Sequence, residues 1–159
     1  MIYDTLSYHT PLVSNDLRAL EIPAPWGFGM ADVTRFGELD ALGHINNTAY
    51  LKWLENLRVN YFREYKVADY SGQPPRLVLK SIAMDYRKEM GLHEPYVVTG
   101  RTARMRTSSF TMEYAVWSGD LRATGSAVIV WLDHTGQKHT IPDPVREKFI
   151  ATDGCVDDR

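Results

Sequence analysis

The stretch Asn46-Asn47-Thr48-Ala49-Tyr50-Leu51-Lys52-Trp53-Leu54-Glu55-Asn56-Leu57-Arg58-Val59-Asn60-Tyr61-Phe62-Arg63-Glu64-Tyr65-Lys66-Val67 decides the architecture. Tyr50, Trp53, Leu54, Leu57, Tyr61 and Tyr65 recur at three- and four-residue steps, the spacing of one buried helix face. Leu51 and Phe62 widen that stripe. Asn46 or Asn47 can cap the start, because a short side-chain carbonyl accepts a bond from an early helix N–H. The spacing predicts a helix from about Asn47 to about Val67, long for a small domain and wet only on a narrow side.

Upstream, Met30–Phe36 reads as a strand that runs into a loop, Gly37–Asn46. Downstream, past the turn-rich Ser71-Gly72-Gln73-Pro74-Pro75, the period drops to two. Val78, Ile82, Met84 and Tyr86 alternate, with Lys80 as an interruption, in a strand over about 77–88. Tyr96–Thr107 forms the next strand, and Phe110, Met112, Tyr114 and Val116 mark another. Gly119-Asp120 is a hairpin signal that leads to Leu121–Leu132. On that last strand Ala123, Gly125, Ala127, Ile129 and Trp131 share a face, and its small residues leave room for a packed helix. Pro144 can start a short C-terminal helix. One strand, a long helix and a run of antiparallel strands predict an α+β domain, a curved antiparallel sheet wrapped round one helix.

The chain has 159 residues, enough for one domain with a sizeable core. We read residues 1–25 as an extended or partly helical arm, 26–150 as the domain and 151–159 as a polar tail. Lys plus Arg is 18 against 20 Asp plus Glu, a net charge of −2 that argues against binding nucleic acid through bulk charge. The longest apolar run, Ala127–Leu132, is far short of the ~20 residues a membrane helix needs. The early Asp4, the lack of a signal-length apolar stretch and the lone Cys155 predict a reducing, cytoplasmic setting. There is no G-x-S-x-G elbow, no dinucleotide or phosphate loop, and no Cys/His cluster with metal spacing, so carboxylates, histidine and backbone amides must carry any catalysis.

Such groups gather just ahead of the helix, in Arg35-Phe36-Gly37-Glu38-Leu39-Asp40-Ala41-Leu42-Gly43-His44-Ile45-Asn46-Asn47. The first turn of a helix has unpaired N–H groups and a partial positive charge, which together can hold the oxyanion of acyl transfer. Asp40 can then serve as nucleophile or general base. On spacing alone Asp40 can equally be a turn residue, His44 a loop histidine and the asparagines mere caps.

This segment resembles the hotdog-fold acyl-CoA thioesterases of the 4-hydroxybenzoyl-CoA thioesterase type. The matching positions are Asp40, His44, Ile45, Asn46-Asn47, Tyr50, Trp53 and Glu55, with Tyr61-Phe62 and Arg106-Thr107-Ser108-Ser109-Phe110 further on. The resemblance implies a hotdog fold and hydrolysis of an acyl-CoA thioester, with Asp40 as the catalytic carboxylate and the Asn47 backbone N–H on the carbonyl. It places His44 and Asn46 as supporting residues and Arg106, Arg104 and Ser109 toward the CoA phosphates. Tyr50 is either core or an acyl-pocket wall. It further implies no metal or cofactor beyond CoA as part of the substrate, and a homodimer or homotetramer. Another hotdog branch uses a glutamate two turns into the helix, where Glu55 stands; as a surface residue Glu55 would instead pair with Arg58. Glu38 stands where many relatives carry a second aspartate, and Leu42 where plant acyl-carrier-protein thioesterases carry asparagine. A hydrolase of acyl carrier protein thioesters and a non-catalytic acyl-CoA binder are the alternatives.

Overall fold

The expected helix is α2, Asn47–Glu64, in a computed structural model that describes residues 2–159. Around it come β1 (Leu12–Val13), α1 (Ser14–Ala19), β2 (Phe28–Val33), β3 (Arg76–Tyr86), β4 (Pro95–Met105), β5 (Ser109–Ser118), β6 (Asp120–Leu132), α3 (Asp143–Asp153) and β7 (Val156–Asp157). The strands form one sheet in the order β1-β2-β4-β5-β6-β3, antiparallel throughout, and β7 pairs in parallel with β4. The sheet wraps α2 in the hotdog arrangement.

Its core follows the two periodicities. Tyr50, Trp53, Leu54, Leu57, Tyr61 and Phe62 of α2 are buried against Phe28, Tyr96, Val98, Phe110, Met112, Tyr114, Val116, Ala127, Ile129 and Trp131. Fully burying an aliphatic side chain such as Leu54 or Leu57 contributes roughly 1.5–3 kcal/mol. The helix lies close on the sheet at two glycines. A β-carbon on Gly100 would collide with the Leu57 side chain, and one on Gly125 would come within 3.2 Å of Leu54 Cδ1. Leu51, expected on the buried stripe, is 37% exposed.

Strand β3 also departs from the expected pattern. The register with β6 slips between Leu79 and Ser81, so Lys80 is the extra residue of a bulge and the alternation changes phase there. Leu77 packs on the core before the bulge, and Ile82 and Met84 pack on it afterwards, while Val78 faces outward at 45% exposure. The strand is therefore a long edge with a partly apolar outer surface.

The ends of the chain close the fold. Tyr3, Leu12, Leu17, Leu20 and Ile22 bury the outer face of β2 and β4 over Ala31 and Val97. Asp16 starts α1 by accepting from the Val13 N–H at 2.9 Å. At the other end, Asp153 is buried, accepting from Thr102 N at 2.8 Å and from the Tyr61 hydroxyl. Burial raises its carboxyl above the ordinary range, and the two hydrogen bonds oppose that shift. The stretch 151–159 is polar in sequence, yet it supplies this buried carboxyl, the buried Cys155 and strand β7. Among the described residues no helix is long and apolar enough to cross a membrane.

Candidate active site

The segment between β2 and α2 is pinned at both ends. Thr34 N donates to Glu94 O at 3.0 Å, Ile45 N to Met90 O at 2.9 Å, and Asn46 N to Glu38 O at 2.7 Å. Glu38 accepts from Arg35 N at 2.8 Å and from the Trp53 indole at 2.6 Å, which ties the loop to the buried face of α2. Between these anchors the chain turns over Asp40–Gly43. Gly43 N donates to Asp40 O at 3.1 Å, and Asp40 N donates to His44 O at 2.8 Å. Gly43 has φ 78°, a left-handed conformation that explains a glycine there.

The Asp40 carboxylate is held by this turn. Its Oδ1 accepts from Leu42 N at 2.9 Å and from His44 N at 3.2 Å. Its Oδ2 has no protein donor among the described residues. Asp40 is thus a turn residue and also an oriented carboxylate, since the backbone engages only one oxygen.

The start of α2 shows a matching division. Asn46 is the cap: its side-chain oxygen accepts from Thr48 N and Thr48 Oγ1, each at 3.0 Å. Ala49 N donates to Asn46 O at 2.9 Å. Among the described residues the Asn47 N–H has no acceptor. It stands at the positive end of a helix of 18 residues, where an oxyanion is stabilised.

Both groups border one cavity of about 480 Å³, with His44, Tyr50, Tyr86 and Lys88 among its other walls. Tyr86, at the end of β3, donates to Asn47 O at 3.1 Å and meets the Tyr50 ring edge-on at 5.1 Å. Burial pushes the Tyr50 phenol up to about 12. His44 Nε2 lies 3.2 Å from Glu89 Oε2 at the rim. Tyr50 is at once buried core and pocket wall.

The other expected site residues lie elsewhere. Glu55 is exposed and sits 3.9 Å from Lys52, not against Arg58, because Arg58 turns inward to Tyr114. Arg104 is on β4 and pairs with Asp158 at 2.7 Å. Arg106 lies one residue past β4, which ends at Met105, and it opens an exposed turn closed by its N–H on Ser109 O at 2.7 Å. Ser109 begins β5 opposite Val130, which itself pairs with Val78 of β3. Arg106 and Ser109 therefore lie level with Val78, and the cavity lies level with Tyr86. At about 3.3 Å per residue the two ends of β3 are roughly 25 Å apart.

Sequence reasoning passed over Glu38 as a tie to Trp53, Tyr86 as a wall and Arg58 as a buried group. For Tyr86 the alternation in β3 showed that it faces inward, but not what it meets.

Comparison with known proteins gives the family. Residues 34–149 match the thioesterase-like superfamily. A thioesterase-superfamily protein of Jannaschia sp. CCS1 is 50% identical, with 96% of this chain and 99% of that one covered and a TM-score of 0.91. A thioesterase of Thermus thermophilus, solved with coenzyme A and zinc, is 31% identical over 79% of this chain and 94% of that one, with a TM-score of 0.71. The uncharacterised protein YsmA of Bacillus subtilis is 26% identical over 74% of this chain and 82% of its own length. With the match extending from the pinned loop through α2 and the sheet into α3, the chain belongs to the thioesterase-like superfamily.

Proposed function

We propose that the protein hydrolyses an acyl-CoA thioester to the free carboxylic acid and CoA. The observation that carries this reading is the pairing of an oriented Asp40 carboxylate with the unsatisfied Asn47 N–H on one cavity. The Asn47 N–H would receive the thioester oxygen, and its bond would strengthen as negative charge develops there. Asp40 Oδ2 would attack the carbonyl carbon or take a proton from the attacking water. The C–S bond breaks and CoA leaves as the thiol; where Asp40 has attacked, water then cleaves the acyl–aspartyl anhydride to the free acid and restores the carboxylate, and no resident cofactor takes part. A CoA-bound relative that is 31% identical supports the CoA class of substrate. A panel of acyl-CoA and acyl carrier protein thioesters tests the reading. Turnover of the CoA esters supports it; binding without turnover would make the protein an acyl-CoA binder. A cytoplasmic setting belongs to the same proposal.

The reading also calls for a second subunit. Edge strand β3 leaves Val78, Leu79 and Tyr86 41–45% exposed along an unpaired backbone edge, a surface that a folded protein normally covers. Two copies paired antiparallel through β3 would set the partner's Val78 end beside the cavity at Tyr86. The partner's Arg106 and Ser109 would then close on the CoA arm of the substrate, which they cannot do from ~25 Å away in their own chain. We expect a dimer or tetramer by light scattering; a mass of 18.2 kDa at working concentration would refute it.

Arg106 is exposed, and its side chain has no partner among the described residues. Arg106→Ala should raise KM for acyl-CoA, an effect that shrinks at high salt. Activity on a short thioester without the nucleotide should stay nearly unchanged. Equal losses on both substrates would make the arginine structural.

A further inference from the structure

Four arginines are largely buried, and three of them face carboxylates. Arg101, Arg122 and Arg146, with side chains 15%, 14% and 2% exposed, pair with Glu113, with Glu94 and Asp120, and with Asp157. Arg58 is the exception. It is 8% exposed, and its polar contact is a long bond from Nη1 to the Tyr114 hydroxyl at 3.4 Å. The guanidinium carbon lies 5.9 Å from the Tyr114 ring centre. Among the described residues no carboxylate stands within ion-pair distance of it. Glu55, one turn earlier, lies 3.9 Å from Lys52 and is exposed.

Taking a cation out of water is costly unless an opposite charge or several acceptors replace the lost solvent. The Tyr114 hydroxyl, with the Tyr70 phenol on the same side, is a weak replacement. Arg58 also borders a groove of about 330 Å³ between α2 and β3, whose apolar walls include Phe62, Leu77, Leu79 and Ile129, with Glu55 and Tyr70 among the polar ones. Such a groove suits a chain of methylenes that ends in an anion.

The groove lies further along the helix that begins at Asn47. Arg58 comes eleven residues after Asn47 on α2. At 3.6 residues per turn it returns to about the same helix face, about 16 Å further along the axis. An acyl group whose carbonyl is held at the Asn47 N–H would reach Arg58 by following this flank of α2 past Leu51 and Glu55.

We infer that the missing counter-charge comes from the substrate: the thioester taken by this site ends in a carboxylate at the far end of its acyl group, and Arg58 binds it. This rests on the thioesterase reading of the Asp40–Asn47 cavity. At ~1.2 Å per bond of extended chain, 16 Å corresponds to about a dozen bonds. A two-fold partner would offer its own groove at a different distance, so both short and long acyl groups must be tried.

The experiment measures kcat/KM for ω-carboxyacyl-CoA esters and for alkyl acyl-CoA esters of matched length. Wild type should favour the carboxyl series at its best length by about 10- to 100-fold, the range of a hydrogen bond to a charged group. Arg58→Met keeps the apolar stem and removes the charge. It should abolish the preference, leave alkyl turnover in place and hold or raise Tm, because an unpaired buried charge is gone. Arg58→Lys should keep part of the preference. Equal kcat/KM for the two series in wild type would overturn the inference while leaving the thioesterase reading intact. So would an equal loss on both series in Arg58→Met with dissociation to monomers, which would place the counter-charge in a second copy of this chain. If no ester is hydrolysed, the thioesterase reading fails, and calorimetry with free α,ω-dicarboxylates decides. Binding that Arg58→Met abolishes keeps the anion site; no binding removes it.

Discussion

Asp40→Asn should lower kcat by about a hundredfold or more, the loss that follows removal of a base or nucleophile. The substitution is nearly isosteric. An amide oxygen can still accept from Leu42 N and His44 N, so the turn and the start of α2 should stand. The change falls on Oδ2, which the backbone leaves open for chemistry. Substrate binding should be largely retained, because the Asn47 N–H and the cavity walls are untouched. Steady-state kinetics on a turned-over acyl-CoA, with circular dichroism to verify the fold, provide the check. Glu55→Gln is the matched comparison. Glu55 is exposed beside Lys52 and does not border the Asp40 cavity, so its loss should cost about tenfold or less. If the two effects came out reversed, Asp40 would be only a turn residue and the chemistry would belong to the helix glutamate.

The second large effect concerns stability. Arg146→Met should lower it by about 3 kcal/mol and Tm by roughly 6–12 °C. Arg146 of α3 is 2% exposed and fully committed. Nη1 pairs with Asp157 at 2.9 Å, Nη2 donates to Arg106 O at 2.5 Å and Thr107 O at 2.8 Å, and Nε donates to Ile141 O at 3.2 Å. Methionine fills much of the volume but satisfies none of these acceptors, and unmet buried acceptors are costly. Because two of them belong to the turn that presents Arg106, KM for acyl-CoA should rise with little change in kcat under conditions where the variant is folded. A melting temperature equal to that of wild type would show that solvent replaces these bonds freely.

The two arginines mark a boundary in what the chain makes legible. Arg106 was readable as a candidate because it stands in a recognisable segment, but its support by Arg146 spans forty residues and has no local signal. Arg58 shows the same limit within a helix. An i, i+3 neighbour suggested a surface pair with Glu55, whereas the packing of α2 on β5 draws the guanidinium inward to Tyr114. In β3 the interruption at Lys80 was visible, but alternation alone did not show that a bulge reverses the faces around it. Leu77 and Val78 exchange roles for that reason.

The sequence by itself determined the elements whose causes are local. The stripe from Tyr50 to Tyr61, an asparagine cap at 46 or 47, the alternation of β5 and β6 and the glycine turn after Asp40 each depend on residues within a few positions of one another. The candidate pair is of this kind, since Asp40 and Asn47 lie on one short connection. Only the tertiary structure decided what faces that pair. Tyr86 reaches Asn47 O from 39 residues away, and Glu38 reaches Trp53 because the loop folds back over α2. Tertiary structure likewise separated Arg106 from Asp40 within one chain and, among the described residues, left Arg58 without a carboxylate. The physical reason is range. Caps and periodicity act through neighbouring backbone groups, whereas the partner of a buried charge depends on sheet register and on which segments compete for the same space.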